Sequence, residues 1–274
     1  MKKVIFTDLD GTLLDPVTYS YQPALPVVRE LKKKGVPIIF CTAKTRAENE
    51  YYQGKLKIRD PFIAENGGAI YIPKNYFSFS FPFQKSDSRY FIIELGVGYK
   101  KLRSTLQKIR EKTGFKIIGF GDMTIKQVAE DSGLPIKLAK LAKMKEYNES
   151  FKFLEGPEKK GILCKMADEA GLKIIFGGRY FNIIGKNNGK GRAVKILTRL
   201  FKKEFGRVQT IGIGDNLNDV SMLKAVDIPI LLGKNNRWDH KGKNLPLWRV
   251  KERGPDGWVK AMRKLILKNF NEKN

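Results

Sequence analysis

The sequence predicts an α/β protein in which parallel βα units at both ends of the chain are interrupted by an α+β insert. Short apolar runs alternate with amphipathic, helix-like stretches over residues 1–72, the pattern of parallel strands joined by helical crossovers. Three apolar runs, Val4-Ile5-Phe6, 37–41 and 208–213, deliver carboxylate, hydroxyl or ammonium side chains at their ends. Between 86 and 185 the rhythm changes to strand-like and helix-like segments closed by a Gly-rich hairpin signal. That pattern predicts a largely antiparallel sheet with helices.

The first run leads into Asp8-Leu9-Asp10-Gly11-Thr12. Strand side chains alternate with a period of two, so Asp8 and Asp10 leave the strand end toward the same side, and Gly11 lets the chain turn. An Asp-Gly pair is also an ordinary turn signal. Chemically, one carboxylate can attack phosphorus, a second can protonate the departing oxygen, and the pair attracts Mg²⁺. The arrangement suits metal-assisted phosphoryl transfer.

Residues 21–34 read as a helix stopped by Gly35. The 37–41 run then brings Thr42 and Lys44 to the same rim, where Thr42 could also cap a helix beginning at Lys44. Another strand region opens at 65–72. Within the insert, 90–95 and 115–118 read as strands and 99–112 as a helix. Thr124-x-x-Gln127 has capping-box spacing, and 173–176 and 180–184 flank the Gly177-Gly178-Arg179 turn. Lys190 opens a helix-like stretch over 191–205. The 208–213 run ends in Gly214-Asp215-Asn216-Leu217-Asn218-Asp219, where Asp215 could cap the following helix or join a site. In open α/β sheets ligands collect beyond the carboxyl ends of the strands.

With 42% hydrophobic residues, a 274-residue chain can supply substantial cores. No apolar run approaches the roughly 20 residues that span a bilayer, and Asp8 interrupts the N-terminal apolar stretch, so the chain reads as cytoplasmic with no membrane partner. Cys41 and Cys164 give neither a disulfide framework nor a zinc spacing. Four residues separate Cys41 from Arg46 where a cysteine-phosphatase loop has five. The single histidine, His240, sits in a polar stretch with Trp238, Lys241 and Lys243, which leaves acid–base chemistry to carboxylates. Residues 185–191 lack P-loop spacing and the Ser or Thr that follows its lysine. A formal charge of +25 draws nucleic acid or a small anionic substrate alike. The scattered basic residues, with no zinc finger or RNP-like segment, disfavour nucleic acid.

The ordered set Asp8-x-Asp10-Gly-Thr, Thr42, Lys190 and Gly214-Asp215 with Asp219 resembles the four signature motifs of the haloacid dehalogenase (HAD) phosphatase superfamily. That resemblance implies a doubly wound, mostly parallel core, 1–85 and 186–274, with an α+β cap, 86–185, over the strand ends. It also implies Asp8 as nucleophile, Asp10 as general acid and base, and Thr42 and Lys190 holding the phosphoryl oxygens. Mg²⁺ is then held by Asp8, the carbonyl of Asp10 and Asp215, with Asp219 assisting directly or through water.

Further segments resemble the mannosyl-3-phosphoglycerate phosphatases. They are 42–48, Glu65-Asn66-Gly67-Gly68, Glu94-Leu95-Gly96, Gly177-Gly178-Arg179 with Phe181, and Arg253-Gly254-Pro255-x-Gly257-Trp258. This narrower likeness implies a small anionic glycosyl phosphoglycerate as substrate and a mannosylglycerate, a compatible solute, as product. Lys44, Arg46 and Arg179 are then placed to meet a carboxylate, Asn66 and Gly67 to line the sugar, and Asn218 to orient the site. Another sugar-phosphate phosphatase, or a phosphomannomutase-like transferase, is the enzymatic alternative. One departure stands out: Gly189 occupies the place before Lys190 where the family usually has an Asp.

Overall fold

The structure, a computed structural model, describes residues 1–176, 179–233 and 246–267. His240 with its neighbours, and Gly177 and Gly178 of the predicted hairpin turn, lie outside the described residues. In chain order come strands β1 (Lys2–Thr7), β2 (Ile38–Cys41), β3 (Phe62–Ala64), β4 (Ala69–Pro73), β5 (Lys85–Ser86) and β6 (Tyr90–Glu94). Strands β7 (Ile117–Gly119), β8 (Asn148–Phe153), β9 (Leu172–Phe176) and β10 (Phe181–Gly185) follow, then β11 (Val208–Gly214), β12 (Ile228–Leu232) and β13 (Trp248–Val250).

The large sheet has the order β13-β12-β11-β1-β2-β3-β4-β6-β5. From β13 to β3 every pairing is parallel, and β4, β6 and β5 extend the sheet antiparallel. The parallel part carries helices on both faces, because strand side chains alternate and both sets are apolar. On one face Val4 and Phe6 meet Ala193, Val194, Leu197 and Phe201; on the other Ile5 meets Val27, Val28, Leu31 and Trp258. Two helices supply the second group, α1 (Leu25–Lys33) and, at the end of the chain, the one that carries Trp258. Pro23 and Pro26 make the predicted 21–34 helix begin as a 3₁₀ turn at Gln22–Ala24.

Five more helices follow α1: α2 (Arg46–Leu56), α3 (Tyr99–Thr113), α4 (Ile125–Ser132), α5 (Ile136–Ala142) and α6 (Lys160–Glu169). The insert's own sheet, β7-β8-β10-β9, is antiparallel throughout. Phe151 and Ile183 on one of its faces pack against Leu102, Leu106 and Ile109 of α3 and Leu163 and Ala167 of α6. The period of two puts Asn148, Ser150 and Asn182 on the opposite face. The Thr124–Gln127 capping box forms, with Gln127 N donating to Thr124 Oγ1 at 3.2 Å and Thr124 N to Gln127 Oε1 at 2.8 Å. The 173–184 hairpin forms as β9 and β10.

The large sheet runs past residue 86, where the sequence pattern begins the insert. β6 pairs antiparallel with β4 from Ala69↔Glu94 to Pro73↔Tyr90. Ile92 and Ile93 point to opposite faces and join the two cores of the large sheet. A short apolar strand reads the same in either sheet, and only the pairing assigns it.

Three further α-helices follow among the described residues, α7 (Lys190–Phe205), α8 (Val220–Leu223) and α9 (Gly254–Met262). The α9 segment braces the end of β1. Gly254 N donates to Gly11 O at 2.9 Å, the fully buried Trp258 donates from Nε1 to Thr7 Oγ1 at 3.1 Å, and Thr7 Oγ1 donates to Asp8 O at 2.7 Å. The late Gly-Pro-x-Gly-Trp motif therefore holds the turn that carries Asp8 and Asp10. Trp258→Ala is expected to lower the unfolding free energy by about 3–5 kcal/mol in urea denaturation; a loss under about 1 kcal/mol would contradict this bracing role.

Candidate active site

Asp8 leaves the end of β1 and Asp215 and Asp219 follow the end of β11, its parallel neighbour. One carboxylate oxygen from each lies within 4.8 Å of the others. Lys190, the first residue of α7 and fully buried, reaches into this group and donates from Nζ to Asp8 Oδ1 at 2.7 Å and to Asp219 Oδ1 at 2.6 Å. Asp219 Oδ2 accepts from the backbone N–H of Asp215 and of Asn216, each at 3.1 Å. Both oxygens of Asp219 are thus engaged in holding Lys190 and the loop. Thr12 Oγ1 donates to Asp215 Oδ1 at 3.5 Å. The helix-cap alternative for Asp215 does not hold, since Asn216 caps the 3₁₀ turn at Leu217–Asp219.

Burial pushes the Asp8 carboxyl up to about 6 despite the opposing charge of Lys190. Burial, then the charges of Asp219 and Asp8, push Asp215 up to about 8. For Lys190 burial works against the charge, but Asp219 and Asp8 outweigh it and hold the ammonium protonated above its ordinary range. Three acids facing one base in a desolvated pocket leave an excess of negative charge, which suits a small hard cation. Gly11, at φ +74°, completes the cradle, for a Cβ there would stand 2.5 Å from Asp215 Oδ2. Beneath the cluster, burial raises the Cys41 thiol well above its ordinary value, so it is no thiolate nucleophile.

Asp10 points away from this cluster toward a cavity between the large sheet and the insert. Its Oδ1 pairs with Lys44 Nζ at 3.1 Å, and Lys44 pairs equally closely with Glu48 Oε1. Loss of hydration raises the Asp10 carboxyl against the opposing pull of Lys44. Glu48 went unread in the sequence although Thr45-x-x-Glu48 has capping-box spacing. The box forms and starts α2 at Arg46, two residues later than the Lys44 start that would have made Thr42 a cap. Thr42 is buried at the end of β2, with its hydroxyl accepting from Lys44 N at 3.3 Å.

Asn66 N donates to Thr42 O at 2.9 Å, and Asn66 Oδ1 accepts from Asn218 Nδ2 at 3.4 Å. At Gly67, which the sequence placed on the sugar side, a Cβ would lie 2.4 Å from the carbonyl of Gly189. Glycine there lets the loop press against the start of α7. Arg46 pairs with Glu50 at 2.8 Å and with Asp87, over the rings of Tyr71 and Tyr90. Arg179 donates to Ser132 O at 2.5 Å. Both arginines, which the sequence placed on a substrate carboxylate, have partners within the protein. Other residues unread in the sequence line the cavity, including Tyr19, Lys145, Ser150 and Asn182. Ser150 Oγ donates to Asn182 Oδ1 at 2.9 Å, making a polar wall opposite Asp10.

Fold and site together define an α/β protein with a buried acidic centre at the carboxyl ends of adjacent parallel strands. A profile for haloacid dehalogenase-like hydrolases matches residues 5–237, and the chain belongs to that family. It is 47% identical over 272 residues to a glucosyl-3-phosphoglycerate/mannosyl-3-phosphoglycerate phosphatase of Methanococcoides burtonii, covering 99% of this chain and 100% of the relative. It is 42% identical to a mannosyl-3-phosphoglycerate phosphatase of Pyrococcus furiosus, over 85% of this chain and 92% of that one. Among solved structures, Thermoplasma acidophilum 0175 shares the fold at TM-score 0.68 and 17% identity, covering 96% of this chain and 98% of the other.

The raised carboxyl pKa values at Asp8 and Asp215 mean that the metal-free folded chain binds more protons than the unfolded one between the ordinary value of 3.8 and about 8. Their contribution to stability is fully present below that window and is lost as pH rises through it. A divalent cation held there would bind the ionised carboxylates and reverse the loss. Magnesium is therefore expected to raise the thermal midpoint more at about pH 8 than at about pH 5; equal shifts in calorimetry at both would contradict a cation site on these acids.

Proposed function

We propose that this chain is a magnesium-dependent phosphatase that hydrolyses mannosyl-3-phosphoglycerate, and its glucosyl counterpart, to the glycosylglycerate and phosphate. The observation that carries the reading is the buried Asp8, held by Lys190 beside Asp215 and Asp219, with Asp10 two residues on lining the neighbouring cavity. The substrate follows the names of the two relatives, one of which matches this chain along its whole length. A charged, phosphorylated substrate fits a cytoplasmic enzyme, and no described helix is long and apolar enough to cross a membrane.

Asp8, the carbonyl of Asp10 and Asp215 would hold Mg²⁺, with Asp219 acting through Lys190 and the loop backbone it binds. When bound, the cation offsets the negative charge that the carboxylates and the phosphoryl oxygens bring together. Asp8 attacks phosphorus, the bond to the glycerate oxygen breaks, and Asp10 gives that oxygen a proton. Water then attacks the aspartyl-phosphate while Asp10 takes its proton, releasing phosphate and restoring Asp8. The upward shift of the Asp10 carboxyl favours this proton-carrying role. Thr42 and Lys190 hold the equatorial oxygens in position. In this reading 1–94 and 186–267 form the catalytic body, and 95–185 form the cap that presents Ser150 and Asn182 to sugar hydroxyls.

Phosphate release with Mg²⁺ should be greatest for the two glycosyl-3-phosphoglycerates in a panel with trehalose 6-phosphate, mannose 6-phosphate and 3-phosphoglycerate. A clear preference for one of the last three would overturn the substrate assignment. Asp8→Asn is expected to fold normally and lose at least about a thousandfold in turnover, and Asp10→Asn to lose about 10²- to 10⁴-fold. Near-normal turnover in the Asp8 variant would remove the nucleophile.

A further inference from the structure

Lys44 and Lys145 are the basic residues that line the cavity, and Lys44, like the arginines Arg46 and Arg179, is already paired. Lys44 lies between Asp10 and Glu48 at 3.1 Å from each. Arg46 is held by Glu50 and Asp87, and Arg179 by the carbonyl of Ser132. Lys145 differs. Among the described residues its ammonium has no carboxylate at ion-pair distance, and it stands over the Phe120 ring, 5.5 Å from the centroid. It lines the same cavity as Asp10 and Lys44.

The main chain beside Lys145 is held in place. Immediately after Lys145, Glu146 N and Tyr147 N donate to the fully buried Glu65 carboxylate at 2.9 and 2.8 Å. Glu65 N in turn donates to Lys44 O at 3.0 Å. The segment that carries Lys145 is thereby tied to the loop that carries Thr42 and Lys44.

We infer that Lys145 is a specificity-determining residue that pairs with a carboxylate on the leaving group, selecting a phosphorylated hydroxy acid over a neutral phosphorylated alcohol. The inference rests on the phosphatase reading and adds the group that recognises the acid. Lys44 already faces two acids, so Lys145 is the cavity ammonium that has no ion pair of its own. An entering carboxylate pairs that charge, whereas a neutral leaving group covers it without a partner and costs its hydration. Selectivity then comes from both the gained pair and the penalty on the wrong substrate.

The test compares mannosyl-3-phosphoglycerate with the same molecule carrying a primary amide in place of the carboxylate. The reading is the ratio of the two kcat/KM values in wild type, Lys145→Gln and Lys145→Arg. The wild type should favour the acid by about 10- to 100-fold, the worth of one charge-assisted pair. Lys145→Gln should bring the ratio close to one, mainly through KM for the acid, and Lys145→Arg should retain most of it. A Lys145→Gln enzyme that keeps the wild-type ratio overturns the inference and leaves the phosphatase reading standing. A wild type that turns over neither compound but hydrolyses another phosphate ester overturns both.

Discussion

The structure depends on one buried ammonium shared by two carboxylates. Lys190 is removed from water and is stable there only because Asp8 and Asp219 accept its hydrogen bonds. The same pair of bonds fixes three pieces of chain that are distant in sequence: the end of β1, the start of α7 and the loop after β11. Close backbone approach makes this possible. A Cβ on Gly191 would stand 2.1 Å from the carbonyl of Ser221, and Gly67 presses on Gly189 from the other side. Gly189 itself has open space around its Cβ position and extended backbone at φ 175°. An acid would fit there, and Lys190 is oriented without one by its bonds to Asp8 and Asp219.

A second set of contacts ties the insert to this centre. Glu65 takes up φ +51°, which turns its carboxylate onto the backbone of Glu146 and Tyr147, and burial pushes that carboxyl up to about 7. Gly68 and Gly96 leave room for Tyr147, whose hydroxyl donates to Glu94 Oε1 at 2.5 Å, and Asn188 Nδ2 donates to Tyr147 O at 3.3 Å. Tyr147 therefore sits where both crossings between sheet and insert meet. The loop 65–68 touches the phosphate-side residues through Thr42 and Lys44, so the position of the insert and the geometry of the site are set by the same few residues.

The parts of this arrangement that were readable in the sequence are those governed by local rules. The apolar run that delivers Asp8, the Thr124–Gln127 box and the β9–β10 hairpin each depend on a few consecutive residues, whereas β1 ends at Thr7 and Asp10 turns to Lys44 instead of joining Asp8. Pairing choices were not readable: β6 is apolar on both faces and suits either sheet, and only its register with β4 assigns it. Nor could the fate of long charged side chains be read. Arg46 and Arg179 have the right chemistry for an anion, but their partners, Asp87 and the Ser132 carbonyl, lie 41 and 47 residues away. Lys145 was one lysine among many until the fold showed which cation in the cavity keeps its charge unpaired. The +25 charge pointed to an anionic partner without saying which face would meet it.

The central claim is that the carboxylate held by Lys190 is the one that carries the phosphoryl group. It is tested most directly by quenching the enzyme during turnover, reducing it with borohydride and sequencing its peptides by mass spectrometry, since an acyl phosphate is reduced to an alcohol. The account predicts conversion of Asp8 to homoserine, dependent on substrate. Reduction at a different carboxylate, or none during active phosphate release, would contradict it.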